Sequence, residues 1–183
     1  MDIKLMPART VALIDANIFI YHLGGVSADC SSFLRRIALG EIEAYITTII
    51  IAEMLHRRMQ GEAVAKGLIS SGQVLKKLKA NPQIISQLTD YITDVKELLE
   101  LPLTIIEASG ADIEASHDLR RTYGLFINDS INLACAQRIG ITDIVTHDND
   151  FARLPIISVW EPTEYLTKFD IATSGEIGQP RHN

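Results

Sequence analysis

Residues 10–15 read Thr-Val-Ala-Leu-Ile-Asp, a short apolar run that ends at an acid. A run of this length, bounded by polar residues, predicts a buried β-strand. The apolar spacing from Ile18 to Leu23 then predicts a helix, so the segment reads as strand, turn and helix. Units of this kind build parallel sheets, because parallel neighbours need a crossover connection between them.

The same alternation continues through the chain. Further strands are predicted at residues 44–47, 103–106, 144–146 and 156–160. Apolar residues at helical spacing lie between these strands. The predicted fold class is therefore α/β, a mostly parallel sheet with helices on both faces.

Turn residues and caps predict where the later helices begin and end. Pro82 suits the first turn of a helix that runs to Leu99, because its missing N–H is not needed there. Asn128 is a good N-cap and is expected to open a helix over Asp129 to Ile139. Residues 60–81 contain several glycines and a cluster of lysines, so we expect a loop followed by a helix there.

Length and composition favour a single globular domain. The chain has 183 residues, of which 47% are hydrophobic and 22% charged, a balance that supports one packed core. We expect the domain to span residues 1–169 with a helical excursion at about 61–101. Residues 170–183 offer little to bury and are expected to form a flexible tail. The formal net charge of −6 argues against a module that holds nucleic acid by bulk counterion release.

Neither a membrane span nor an export signal is predicted. Apolar runs such as Ile49 to Ala52 fall far short of the ~20 residues that cross a bilayer. Met1 to Pro7 lacks the basic start and apolar stretch of a secretory signal, so a cytoplasmic protein is expected. Cys30 and Cys135 lack metal-ligand spacing and are expected to fill the core.

Acidic residues fall where the predicted strands end. Asp15 ends the first strand, and Asp148 and Asp150 follow the fourth. Glu53 and Asp129 lie near the starts of helices that follow strands or turns. Binding sites in open α/β sheets lie outside the carboxyl ends of the strands. We therefore expect these acids to converge on one rim of the sheet.

Like charges a few ångström apart raise one another's pKa, so a cluster of carboxylates does not stay fully ionised by itself. A bound cation offsets this repulsion, and we therefore expect a metal site. All-oxygen ligands favour Mg²⁺ or Mn²⁺ over zinc. Such ions activate water and stabilise a phosphate oxygen, so phosphodiester hydrolysis is the predicted chemistry. Each acid alone could instead serve a turn or a helix start, and their shared location is what favours a site.

Four segments carry a family resemblance. They are Val11-Ala-Leu-Ile-Asp-Ala-Asn17, Thr47-Thr-Ile-Ile-Ile-Ala-Glu-Met-Leu55, Asn128-Asp-Ser-Ile-Asn-Leu-Ala-Cys-Ala136 and Thr146-His-Asp-Asn-Asp-Phe151. In order and spacing they resemble the motifs of the PIN-domain ribonucleases, a family that includes the toxins of VapBC toxin–antitoxin pairs. The similarity covers most of the chain.

The resemblance implies a Rossmann-like sheet of strand order 3-2-1-4-5, frequent homodimers and, for a toxin, an antitoxin partner. It also implies a Mg²⁺- or Mn²⁺-dependent endoribonuclease that cleaves single-stranded or looped RNA. Four acids would bind the metal and carry catalysis: Asp15, Glu53, Asp129 and Asp148. Asp150 would be an auxiliary metal ligand, and Asn17 and Thr146 would order ligands or water.

The excursion at about 61–101 is longer than compact toxins of this family carry, and its role as substrate clamp, dimer surface or antitoxin groove is open. Basic side chains on or near it are candidate RNA contacts, namely Arg57, Arg58, Lys76 and Lys77. The alternative for each of them is a solvated helix face.

Two other functions compete with the nuclease. One is a non-catalytic PIN-like scaffold that binds metal or RNA. The other is a phosphatase of the aspartyl-phosphate type, which also places an aspartate after the first strand. That class would need a second aspartate at position 17, where this chain has Asn17.

Overall fold

A computed structural model describes residues 1–164 and contains a five-stranded sheet. Its strands are β1 (Val11–Ile14), β2 (Glu43–Thr47), β3 (Leu103–Ile106), β4 (Asp143–Val145) and β5 (Ser158–Trp160). Their order is β3-β2-β1-β4-β5, and every neighbouring pair is parallel. The predicted α/β class and strand order 3-2-1-4-5 are confirmed.

Helices connect and surround the strands. They are α1 (Ala16–Leu23), α2 (Ala28–Ala38), α3 (Thr48–Ala65), α4 (Val74–Ala80), α5 (Pro82–Ile85), α6 (Asp90–Leu99), α7 (Gly110–Tyr123), α8 (Ile127–Arg138) and α9 (Asn149–Ala152). Among these described helices, none is long and apolar enough to traverse a lipid bilayer.

The core lies between the sheet and its helices. Ala12, Leu13 and Ile14 of β1 are almost completely buried, because a central parallel strand is covered on both faces. Phe19 and Phe33 are the largest fully buried side chains and come from α1 and α2. Cys30 and Cys135, predicted to fill the core, are both buried with free thiols.

The helical excursion forms a small second cluster of buried residues, made of Ala63, Val74, Leu78 and Leu88. The prediction of one helix from Pro82 to Leu99 is wrong, because the helix is interrupted between the end of α5 and the start of α6. The buried carboxylate of Glu62 lies next to this interruption. It accepts hydrogen bonds from the backbone N–H groups of Thr89 (3.0 Å) and Tyr91 (2.8 Å), so it caps the start of α6 from outside that helix.

The start of α8 also differs from the prediction. The N-cap is Phe126, and Asn128 lies inside the first turn. Gly124 precedes this start with a positive φ of 67°, which only a residue without a Cβ adopts readily. It ends α7 and turns the chain directly into α8, two residues earlier than an Asn128 cap would allow.

The C-terminal end of the described chain is tied to α2. Asp29 accepts hydrogen bonds from the backbone N–H groups of Thr163 and Glu164, both at 2.9 Å. The flexible tail predicted at residues 170–183 lies outside the described residues.

Candidate active site

The candidate site begins where the two central strands end side by side. β1 and β4 are paired in parallel, with Ile14 opposite Val145. The ladder continues one step further, because the backbone N–H of Asp15 donates to the carbonyl of Val145 at 3.0 Å. Asp15 and Thr146 therefore leave the sheet at the same rim, which is where an open parallel sheet places its ligands.

The hydroxyl of Thr146 organises this rim. It donates to Oδ2 of Asp15 at 2.6 Å. It also accepts hydrogen bonds from the Asn17 amide at 2.9 Å and from the backbone N–H of Asp148 at 3.0 Å. One donor and two acceptor positions are all that a hydroxyl has, so this completely buried side chain is fully satisfied.

The Asn17 side chain completes the same network. Its amide also donates to Oδ2 of Asp15 at 2.6 Å, and its carbonyl accepts from the backbone N–H of His147 at 3.3 Å. Asn17 thus joins the turn after β1 to the turn after β4. Asn17 and Thr146, predicted to order ligands or water, both form hydrogen bonds with Asp15 in the structure.

Three acids form the tightest group at the rim. Asp129, Asp148 and Asp150 each offer a ligand atom, and these atoms lie within 4.8 Å of one another. Asp129 lies in the first turn of α8. Asp148 is the N-cap of α9 and accepts from the backbone N–H of Asp150 at 2.8 Å. Asp150 lies in the first turn of α9, so a helical turn brings it next to Asp148.

Burial and neighbouring charges raise the pKa of two acids at the rim, Asp129 and Asp15. Burial is the main cause that raises the pKa of Asp129 to about 7, and the charges of Asp15, Asp148 and Glu53 raise it further. Burial likewise raises the pKa of Asp15 to about 6, against the hydrogen bond from Thr146. Buried carboxyls that titrate this high, with other acids close by, are typical of functional sites.

Glu53 reaches the rim from α3 and carries its own counter-ion. Its carboxylate accepts a 2.8 Å hydrogen bond from Nε of Arg57, one helical turn later. Its charge contributes to the raised pKa of both Asp15 and Asp129, so it lies within electrostatic range of these acids.

A buried pair of polar residues that the sequence argument missed sets the position of α3. The Thr47 hydroxyl caps α3 by accepting from the N–H of Ile50 at 3.0 Å. It donates at 2.6 Å to the Asn132 side chain on α8, and both residues are at least 97% buried. This contact fixes the helix that carries Glu53 against the helix that carries Asp129. The available signal was a polar Asn132 directly before the apolar run Leu133 to Ala136.

The candidate RNA contacts are spread along α3 and beyond. Arg58 pairs with Asp94 of α6 at 2.6 Å, and Lys77 binds the hydroxyl and carbonyl of Ser70. Lys76 is exposed on α4. The end of α3 lies about 18 Å along the helix from Glu53. Among the four cations, only Arg57 has a recorded contact with an acid of the rim in the described chain.

The donor set at the rim fits a hard divalent cation. All five acids offer oxygen atoms, and neither cysteine lies among them because both are buried in the core. Burial and the neighbouring acids both raise the pKa of Asp129, and a bound cation would offset the charge of these acids.

Comparisons with known proteins give a consistent result. The family model of the PIN domain matches residues 12–157. Ribonuclease VapC2 of Methanocaldococcus jannaschii is 24% identical over 159 residues, which are 86% of this chain and 98% of that protein.

Two solved structures share the fold. VapBC2 from Rickettsia felis, bound to a DNA fragment of its promoter, matches with a TM-score of 0.54 and 19% identity over 84% of this chain and 99% of that chain. VapC20 of Mycobacterium tuberculosis, a toxin that cleaves the sarcin–ricin loop, matches with a TM-score of 0.51 and 11% identity over 80% and 96%.

Proposed function

The chain belongs to the PIN-domain family, and from that premise we propose that it is a metal-dependent endoribonuclease that cleaves single-stranded or looped RNA. The observation that carries the proposal is the close approach of Asp129, Asp148 and Asp150 beside Asp15 at the end of the central strands. The name of the VapC2 relative, which this chain matches over nearly its whole length, supports ribonuclease activity.

Asp129, Asp148 and Asp150 would hold the cation, and Asp15 and Glu53 would complete its surroundings. Mg²⁺ or Mn²⁺ suits these oxygen donors. When bound, such an ion lowers the pKa of water and offsets negative charge on a phosphate.

The side chains themselves supply the remaining chemistry. Asp129, Asp148 and Asp150 lie close enough together for one of these carboxylates to orient the attacking water and accept the proton that it loses. Thr146 and Asn17 keep Asp15 in one orientation, so this acid does not rearrange during the reaction. Water attack at phosphorus would break the P–O3′ bond and leave 5′-phosphate and 3′-hydroxyl ends.

RNA would approach along α3. Arg57 pairs with Glu53 and is the cation best placed to contact a phosphate at the rim. The side chains of Arg58, Lys76 and Lys77 would contact phosphates further along the RNA chain. An unpaired RNA suits this site, because a single strand can bend into a recessed acidic group where a duplex cannot.

We further propose that the chain is the toxin of a toxin–antitoxin pair. The VapC2 relative and the VapBC2 structure support an antitoxin partner, and the VapC20 structure is that of a toxin. The homodimer implied by the family resemblance stays a prediction, and sedimentation of the purified chain would test it.

The decisive experiment is cleavage of a 5′-labelled single-stranded RNA in EDTA and in Mn²⁺. We expect cleavage by the wild type in Mn²⁺ alone, a loss of at least a hundredfold in Asp148→Asn and in Asp15→Asn, and unchanged cleavage in Asp118→Asn. Asp118 is a matched control because it is exposed on α7 and pairs only with Arg121 among its recorded contacts. Mn²⁺ binding by calorimetry without cleavage would favour the non-catalytic scaffold instead.

A further inference from the structure

Phe126 is the only exposed aromatic residue, counting phenylalanine, tyrosine and tryptophan, in the described residues 1–164. Its relative exposure is 66%, and the neighbouring Ile127 is exposed to 64%. The turn does not need the Phe126 ring as an anchor, because Leu125 is buried and fills that role. Phe126 therefore contributes little to the core.

The local structure also gives no reason for phenylalanine at this position. Phe126 is the N-cap of α8 and makes no side-chain hydrogen bond to the helix. Ser, Thr, Asp or Asn would cap the same helix and stabilise it. An exposed aromatic ring at an uncapped helix start breaks two local rules at once, and such positions in a folded protein are typical of functional sites.

Two connections place Phe126 beside the acids. Asp129 is the third residue of α8, and at these two positions the side chain of N3 can reach the backbone of the N-cap residue, which is Phe126. The second connection is Arg153, whose guanidinium binds the carbonyl of Gly124 at 3.2 Å and the carboxylate of Asp150 at 3.4 Å. It ties the turn that carries Phe126 to the acid group.

We propose that Phe126 is a positioning residue that stacks on a base of single-stranded RNA next to the phosphodiester held at the acids. This inference rests on the proposed ribonuclease function. Every base has a π-face, so an aromatic side chain gives affinity that tolerates sequence. Stacking also supplies attraction that does not depend on charge, at a rim where carboxylates repel phosphate.

A protein partner is the other occupant such an apolar surface could have. Phe126 and Ile127 are two adjacent side chains, and a standard protein interface buries about 800 Å² on each partner. A single ring beside a group of acids matches one nucleotide better than it matches a surface of that size.

The test measures binding of a fluorescein-labelled single-stranded RNA in Mn²⁺ by anisotropy, using Asp148→Asn as a background that does not cleave. We expect Phe126→Ser to weaken binding about tenfold, the usual effect of losing one stacked base, and Phe126→Trp to restore it. Leu39→Ser is the matched control, because Leu39 is 69% exposed and lies before the amino end of β2, away from the rim. It should bind like the background.

Weaker RNA binding by Phe126→Ser would not be explained by a loss of stability. Serine is a better N-cap than phenylalanine, so Phe126→Ser should unfold at the same temperature as the background or higher. A set of RNAs with one abasic position each gives a second readout. When the missing base is the one that stacks on Phe126, the background and Phe126→Ser should bind the RNA with equal affinity. When another base is missing, the background should still bind more tightly than Phe126→Ser.

The outcomes that overturn the inference are distinct. Equal RNA affinity of the background and Phe126→Ser would remove the stacking role while leaving the ribonuclease proposal intact. A smaller sedimentation coefficient in Phe126→Ser would show that the ring belongs to an interface between protein chains. No affinity for RNA in wild type and background alike would overturn the proposed function together with this inference.

Discussion

The hydroxyl of Thr146 donates a 2.6 Å hydrogen bond to the carboxylate of Asp15, 131 residues away in the chain. Through the same oxygen atom it accepts from Asn17 and from the backbone N–H of Asp148. A single buried hydroxyl thus positions acids that follow two different strands. Its loss should disturb the fold and the site together.

Thr146→Val tests this hydroxyl, because valine keeps the shape of threonine without its hydrogen bonds. The variant removes one of the two side-chain hydrogen bonds to Oδ2 of Asp15 and leaves the backbone N–H of Asp148 without its partner, so we expect the free energy of unfolding to fall by about 1–3 kcal/mol. Affinity for Mn²⁺ should fall roughly 10- to 100-fold, as when other partners of ligating residues are lost. Urea unfolding and calorimetry measure the two effects.

Thr146→Ser is the matched control, since it keeps the hydroxyl and removes only a methyl group. It should retain most of the Mn²⁺ affinity. Wild-type Mn²⁺ binding in Thr146→Val would show that the network only supports the fold.

The ion pair between Glu53 and Arg57 leads to a second prediction, which concerns the affinity for Mn²⁺. The guanidinium neutralises an acid that is proposed to face the cation. Arg57→Gln should therefore strengthen Mn²⁺ binding by about two- to fivefold, the range expected for a partly exposed ion pair. Arg58→Gln is the control, because Arg58 pairs with Asp94 of α6 instead. Equal Mn²⁺ affinity in both variants would contradict a link between Arg57 and the metal site.

The α/β class was predictable from short apolar runs that alternate with helical patterns, whereas the strand order came from the family resemblance. The expectation that the acids share one rim followed from their places at strand ends and helix starts. The start of α8 was not predictable, since Asn128 is the better cap by residue type and only the tight turn at Gly124 selects Phe126. The interruption before α6 lies next to Glu62, a residue 27 positions before Thr89. Periodicity within one segment carries no information about a carboxylate supplied by another.

The titration of Asp129 predicts a pH dependence of stability. Its pKa is about 7 in the fold against 3.8 ordinarily, so between these values the native state binds more protons than the unfolded chain. Without metal, stability should therefore fall as pH rises from about 4 to 7. Asp129→Asn removes this cost and should be more stable than the wild type at pH 8 by at least about 1 kcal/mol, with the difference shrinking toward pH 4.

Mn²⁺ supplies the control for this comparison. It should stabilise the wild type at pH 8 and have a much smaller effect on Asp129→Asn, because the cation offsets the charge that the variant lacks. Urea unfolding at both pH values, in EDTA and in Mn²⁺, gives all the differences. A wild type more stable than Asp129→Asn at pH 8 in EDTA would show that the acid is already balanced within the protein.

Glu62 offers a test of whether the helical excursion is independent of the acidic rim. Burial alone would raise its pKa, but hydrogen bonds from Lys66 and from the N–H groups of Tyr91 and Thr89 outweigh burial and lower the pKa to about 2. This stabilisation is fully present above the unfolded pKa of 4.5 and is lost as pH falls toward 2. Glu62→Gln removes the charge and should cost about 3 kcal/mol of stability.

The loss should be confined to the excursion. Amide exchange of Glu62→Gln should rise over residues 66–90, while Mn²⁺ affinity stays that of the wild type, because none of the recorded hydrogen bonds of Glu62 reaches the rim. Glu97→Gln, an exposed acid on α6, should change neither quantity. If Glu62→Gln weakened Mn²⁺ binding as strongly as Thr146→Val, local unfolding at Glu62 would have to spread along α3 as far as Glu53. The excursion and the acidic rim would then unfold as one unit.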